Sequence, residues 1–184
     1  MTTFLQHPAR RRLMLAILGS SALGATGCMT KPIQPARADG TWCYRVGNFR
    51  RKAQCSSGPV PSAEVDAIAK RFETSPDRLT VYIVRKRWAD AVNKVHLQID
   101  GNTRVETLPE SFVRLRIAPG RHRIKADWPD GSTELEVQGA AGDIRFVELV
   151  GSVWAWSTSY RLEAGQPEEA MQRVRSIRLV ADVS

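Results

Sequence analysis

The chain predicts a mainly β fold: an antiparallel β-sandwich with one or two short helices, following a signal peptide and a linker. Three observations carry this. From Leu79 onward, short runs rich in Val, Ile, Leu and aromatic residues alternate with polar ones at period two, which puts one set of side chains on each face of a strand. Turn signals separate these runs at regular spacing: Asp100-Gly101-Asn102, Ala118-Pro119-Gly120, Pro129-Asp130-Gly131-Ser132 and the small residues 139–142. Helical periodicity is confined to two short stretches, around Val65 and around Ala170. Residues 113–128 read as the central hairpin. Val113, Leu115 and Ile117 alternate with Arg114 and Arg116. Pro119-Gly120 turns the chain, and Ile124, Ala126 and Trp128 alternate with Arg123, Lys125 and Asp127. Gly120 is expected to take a positive φ, which glycine adopts at little cost.

The first 27 residues have the composition of an export signal. A polar segment ends in Arg10-Arg11-Arg12, an apolar stretch begins at Leu13, and small residues run to Gly27. The apolar core, about 13 residues, is too short to span a bilayer as an ordinary helix, which takes roughly 20. Ala25-Thr26-Gly27-Cys28 resembles the lipobox of bacterial lipoproteins. That resemblance implies cleavage before Cys28, a lipid on its sulfur and acylation of its new amino group; several acyl chains give stable anchoring where one is marginal. The rival is an ordinary signal that leaves Cys28 free. Met29 in place of an aspartate after the cysteine implies sorting to the outer membrane. The arginine triplet also admits twin-arginine export, although it lacks a Ser or Thr before it and a Phe after it.

The organisation expected from this is a signal at 1–27, a lipidated tether at 28–41, a disulfide-closed loop and linker at 42–60, and the sandwich with its N-terminal helix at 61–184. Without the signal's three arginines the formal charge falls from +8 to +5, since residues 1–27 contain no acid. That is mildly basic and does not point to nucleic acid. Pro32 and Pro35 make the tether extended and semi-rigid. Cys43 and Cys55 are expected to form a disulfide in an oxidising compartment. The rival is zinc held with His96 or His122, but the two cysteines lack the short Cys-x-x-Cys spacing. Arg45, Arg50, Arg51 and Lys52 make the intervening loop basic, so it is either a solvated staple or a contact for anionic lipid.

Ser62 is placed to cap a helix reaching about Glu73, with Val65, Ile68, Ala69 and Phe72 as its buried stripe. Strands follow at 79–85, 95–99, 103–108, 133–138 and 144–150, the last filled almost entirely by apolar residues and so expected to be buried on both faces. A loop at 87–93 carries Trp88. A second helix is expected at 166–175, with Pro167 in its first turn, and a closing strand at 177–183 with Ile177, Leu179 and Ala181 on one face.

The search for chemistry gives little. Of the three histidines, His7 lies in the signal; His96 falls on the polar side of a strand, and His122 is placed to pack on or hydrogen-bond the Pro-Gly turn. There is no Gly-x-Ser-x-Gly, His-Glu-x-x-His, phosphate loop or dinucleotide fingerprint. Glu134 and Glu136 could mimic a carboxylate pair, but Arg123 and Lys125 on the facing strand make cross-strand charge pairs the simpler reading. No enzyme, metal or cofactor is expected. Two surfaces stand out as candidates. Arg114, Arg116, Arg121, Arg123 and Lys125 could form a basic face on the central hairpin. Trp154, Trp156 and Tyr160 are either core filling or, if exposed, a patch for stacking glycans or docking a protein.

Four further features occur in order: Lys70-Arg71-Phe72 before the strand Val81-Tyr82-Ile83-Val84-Arg85, the Asp100-Gly101 turn, the Pro119-Gly120-x-His122 turn, and Gly142 leading into an apolar strand. Together, over roughly residues 68–183, they resemble a family of small bacterial envelope lipoproteins known only as a domain of unknown function. The Pro-Gly-x-His turn is also similar to that of transthyretin-like and carboxypeptidase regulatory domains. The resemblance implies a prealbumin-like or immunoglobulin-like sandwich and no enzymatic activity. The expectation is a periplasm-facing outer-membrane lipoprotein, non-enzymatic, held to the membrane by its lipid and acting by contact with an envelope protein. The alternative is a binding module for an envelope glycan or anionic lipid. Replacing the lipidation residue (Cys28→Ser) should abolish labelling by a fatty-acid analogue and release the protein from the membrane fraction. Labelled, membrane-bound Cys28→Ser protein would contradict the lipobox reading.

Overall fold

The computed structural model describes residues 33–44, 53–86, 93–154 and 157–184. The signal, Cys28, the basic loop at 45–52, the Trp88 loop and Trp156 lie outside the described residues, as does the side chain of Trp154. Eleven strands and two helices are described: β1 (Cys43–Tyr44), β2 (Gln54–Cys55), α1 (Ala63–Ala69), β3 (Leu79–Lys86), β4 (Val95–Ile99), β5 (Thr103–Thr107), β6 (Ser111–Ile117), β7 (Gly120–Trp128), β8 (Gly131–Gly139), β9 (Ile144–Trp154), β10 (Ser157–Ala164), α2 (Pro167–Ser176) and β11 (Arg178–Val183). Among the described residues no helix is long and apolar enough to cross a membrane.

The fold is mainly β and sandwich-like, with two helices. One sheet has five strands in the order β10-β9-β3-β6-β11; the other has four in the order β5-β4-β7-β8. The four-stranded sheet is antiparallel throughout. The five-stranded sheet is mixed, because β3 runs parallel to β9 and β11 parallel to β6. β10 and β11 lie at opposite edges of this sheet, and α2 carries the chain across it from one to the other.

Alternation decides what each strand of the larger sheet buries. Val81 and Ile83 of β3, Val113 and Leu115 of β6, and Val147 and Leu149 of β9 face the smaller sheet, where they meet Leu97, Ile99, Ile124 and Ala126. Tyr82, Val84, Phe112 and Phe146 face the other way, under Ala69 of α1 and Ala170 and Val174 of α2. The larger sheet is therefore covered on both faces, as the apolar run at 144–150 predicts. Each large side chain sealed in this way contributes about 1.5–3 kcal/mol.

The expected central hairpin does not form. β6 pairs with β3 and β11, whereas β7 pairs with β4 and β8. Residues 118–120 are an arch that carries the chain from one sheet to the other. Alternation correctly makes Val113 and Leu115, and Ile124 and Ala126, inward-facing. They meet across the core rather than side by side, and the same pattern satisfies either arrangement. Gly120 has the expected positive φ, +139°.

Three other expectations are revised. Residues 28–41 were expected to be free tether, but the Trp42 indole is 3% exposed and donates to the Gln34 carbonyl at 3.0 Å. Trp42 and Tyr44 belong to the inter-sheet core, and Val60 packs against it. Cys43 and Cys55 are directly opposed on β1 and β2 and joined by a disulfide, which removes both sulfurs from the rival zinc reading. The helix capped by Ser62 stops at Ala69, well before Glu73, and Phe72 takes a positive φ of 56°. Its inward face includes Asp66, whose carboxylate accepts from the Leu179 N–H at 2.7 Å and from Lys70 at 2.6 Å, leaving Ile68 36% exposed. In β11 a register shift between Leu179 and Ala181 turns the strand over. Ile177 and Leu179 pack under the helices while Val180 and Ala181 face the inter-sheet core, so Ala181 does not share a face with them.

A side chain at residue 120 would meet no atom within 4 Å, so the cost of adding one is backbone strain alone. In urea melts of the chain from residue 29 onward, Gly120→Val should destabilise by about 1–3 kcal/mol. Arg121→Ala next to it should cost under about 0.5 kcal/mol. Equal melts for Gly120→Val and the parent would remove the arch from this position.

Candidate functional site

The two surfaces singled out in the sequence are rearranged by the fold. Tyr160 lies on β10 facing the inter-sheet core and is 5% exposed. Its ring meets Trp128 edge-on, with centroids 5.2 Å apart, and its hydroxyl accepts from the Arg85 guanidinium at 3.2 Å. A buried Tyr160 cannot contribute to an exposed stacking patch with Trp154 and Trp156, whose side chains fall outside the described residues. Residues 157–164 form a strand paired antiparallel with β9.

The five basic residues do not share a face. Arg114 lies on the helix side of the larger sheet, nearly buried, and grips Asp182 through Nε at 2.9 Å and Nη2 at 2.7 Å. Arg116 reaches the same carboxylate at 3.3 Å. The paired Asp182 carboxylate holds the Arg114 guanidinium above its ordinary range, with burial opposing. These two arginines are structural cations. Arg121, Arg123 and Lys125 lie on the other sheet because β6 and β7 part at the arch.

What the fold does assemble is the outer face of the four-stranded sheet. Arg123 stands opposite Glu136, and Lys125 stands between Glu134 on β8 and Gln98 on β4. Arg121 meets Glu136 at 3.2 Å, and Lys125 meets Asp127 at 2.7 Å. The cross-strand register expected for the two glutamates is therefore present, with the closest ion pair one step along it. A shallow depression of about 530 Å³ runs over these side chains. It has cations and carboxylates in alternation, with no excess of either sign among Arg121, Arg123, Lys125, Asp100, Glu134 and Glu136.

One end of this face is clipped. Asp100 is the first residue of the tight turn between β4 and β5, with φ of 52° there and 74° at Gly101. Its carboxylate accepts from the Arg123 N–H at 2.8 Å and meets His122 Nδ1 at 2.7 Å. His122 Nε2 lies 2.8 Å from the Ala118 carbonyl. Both ring nitrogens thus lie within hydrogen-bond distance of an oxygen, one on the turn and one on the arch. The clip ties the arch between sheets to the β4–β5 turn, so the face keeps one geometry. His122 is a turn fastener, as its position after Pro119-Gly120 suggested, and His96 lies exposed on β4 as expected of the polar side.

Sequence reasoning missed two polar sites that the fold builds, one buried and one half-buried. Arg85 is 1% exposed because it continues the inward register of Val81 and Ile83; it donates to the Thr107 carbonyl at 2.8 Å and to the Asn93 carbonyl. Its place in the alternation was the available signal. Glu106 of β5 accepts from the Ser57 hydroxyl at 2.8 Å and lies 3.5 Å from Lys94. Burial alone would raise the Glu106 carboxyl, but the Ser57 and Lys94 contacts prevail and hold it below its ordinary value. No local pattern announces this contact, since Ser57 and Glu106 are 49 residues apart. Among the described residues no group of three or more His, Cys, Asp or Glu is arranged to hold a metal ion.

The hydrogen bond from His122 holds the Asp100 carboxyl below the ordinary aspartate value; partial burial opposes this and the Arg123 N–H assists. A carboxyl depressed in the folded state contributes its stabilisation in full above its unfolded value, about 3.9, and loses it as pH falls through the lower folded value. An NMR titration of the Asp100 carboxyl should therefore show a midpoint under about 3.9, and His122→Ala should move it upward. Identical midpoints in the two proteins would mean that the clip does not operate in solution. In comparisons with known proteins, no family model matches the chain and no curated protein matches it.

Proposed function

We propose that the chain is a lipid-anchored, periplasm-facing lipoprotein of the bacterial outer membrane that acts without catalysis, by docking an envelope protein on the outer face of its four-stranded sheet. The signal and the Ala25-Thr26-Gly27-Cys28 segment support the anchor, and the likeness to envelope lipoprotein domains supports the setting. The observation that carries the docking reading is the mixed charge field of Arg121, Arg123, Lys125, Glu134 and Glu136, spaced by strand register over a fully packed core. Complementary charges of both signs set register and partner choice between proteins. A uniformly anionic lipid or glycan would meet Glu134 and Glu136 along with the arginines, so the field suits a protein better than the alternative ligands.

The test is photocrosslinking in native membranes from Gln98 and from Arg123, with Arg175 on the opposite, helical side as control. Discrete protein adducts from the first two positions and none from Arg175 are expected. A charge reversal, Arg123→Glu, should abolish the Gln98 adduct while the protein stays folded at the assay temperature, the like charge it sets against Glu136 costing under about 1 kcal/mol. Adducts to lipid or glycan alone, or protein adducts indifferent to Arg123→Glu, would overturn the reading.

A further inference from the structure

Where β2, the start of β4 and the end of β7 come together, the described residues line a depression of about 470 Å³ that the docking reading does not use. One wall is the Trp128 indole. Trp128 takes an inward position on β7, in register with Ile124 and Ala126, but at the strand's end it stays half-buried where those two are fully buried. Its ring is held in one orientation. Nε1 donates to the Thr158 carbonyl at 3.1 Å, and the Tyr160 ring meets it edge-on. A Cβ at residue 131 would come within 2.9 Å of Trp128 Cζ2, so glycine there is what lets the indole lie where it does. Pro129 continues the apolar wall.

The rest of the lining is polar. The side chains of Gln54, Asn93 and His96 make no hydrogen bond or ion pair among the described residues. Two amides and an imidazole supply both donors and acceptors. The charges beside them are already paired. Asp127 meets Lys125 at 2.7 Å, and Lys94 reaches the Ser57 hydroxyl at 3.0 Å and Glu106 at 3.5 Å. An anionic ligand would have to compete with Glu106 for Lys94. A wholly apolar one would leave the amides and the imidazole unpaired. A sugar ring meets both conditions, because it carries an apolar C–H face and a rim of hydroxyls that donate and accept. We infer that this depression is a binding site for a neutral saccharide, with the Trp128 indole as its apolar wall and Gln54, Asn93 and His96 as partners of the sugar hydroxyls. The fixed indole is preorganised, so little side-chain freedom is lost on binding. The site is separate from the protein contact proposed for the outer face and does not depend on it.

The test uses the full chain in a polyoxyethylene detergent, which has no sugar headgroup, and the neutral probes cellotetraose, maltotetraose and chitotetraose. The readout is the NMR signal of the Trp128 indole N–H, assigned by its loss in Trp128→Phe. At least one probe should move this signal saturably, together with the His96 ring signals. Added salt should leave the affinity unchanged, since the ligand carries no charge. The double variant Gln54→Ala/His96→Ala should keep its folded spectrum and bind roughly tenfold more weakly, having lost two hydrogen-bond partners. Arg175→Ala, on the helical side, should bind like the parent. Any of four results would overturn the inference: saturation by none of the probes, a saturable change that leaves Trp128 and His96 unmoved, binding indifferent to the double variant, or tighter binding of the anionic probe tetragalacturonate.

Discussion

Everything in this fold depends on β3 being apolar on both sides. Leu79, Val81 and Ile83 face the smaller sheet; Tyr82 and Val84 face the helices. A strand's alternation separates these two sets completely, so one eight-residue segment anchors two cores at once. β6 and β9 flank it in the same condition. Two of the polar groups forced into these layers, on Tyr82 and Arg85, have defined partners. The Tyr82 hydroxyl donates to the Ala69 carbonyl at 2.7 Å and so secures the end of α1, and burial raises the Tyr82 phenol above its ordinary range. Arg85 closes the inner core with the Thr107 carbonyl and Tyr160. Left unpartnered, the Tyr82 hydroxyl would cost about 1–3 kcal/mol and the Arg85 charge several.

This layering leaves the outer face of the four-stranded sheet without helical cover among the described residues. The helices occupy the corresponding face of the five-stranded sheet, with Val174, Ala170 and Ala69 sealed against Tyr82 and Phe146. Among the described residues the smaller sheet has no such cover, and its outward positions on β7 and β8 carry charge instead of apolar bulk. The His122–Asp100 clip lies at the point where the chain passes from one sheet to the other, so it links the packing of the core to the geometry of the charged face.

Much of the architecture is legible in the sequence because alternation is a local property. The strands at 79–85, 95–99 and 144–150, the Asp100-Gly101 turn, the positive φ of Gly120 and the Arg123–Glu136 register all follow from neighbours a few residues apart. Strand partnership is not local. Residues 113–128 have the pattern of a hairpin, yet β6 and β7 belong to different sheets. The register shift that places Ala181 in the inter-sheet core has no signature in the residues 177–183 themselves. Asp66, not Ile68, faces inward on α1, where its carboxylate accepts from Lys70 and from the Leu179 N–H, partners that lie outside the local apolar pattern. The candidate site was half legible. Its charge pairs could be read from β7 and β8, but the separation of Arg114 and Arg116 from Arg121, Arg123 and Lys125 required knowing where the chain changes sheet.

The most direct test of the account is native-state hydrogen exchange under increasing denaturant, resolved by strand. If β3 supports both cores, its amides exchange only through global unfolding, with an opening free energy equal to that of the whole domain. The edge strands β5 and β8 should open at lower free energy and leave β3 protected. Exchange of β3 through a partial opening that leaves the four-stranded sheet protected would contradict the claim that one doubly buried strand holds the two cores together.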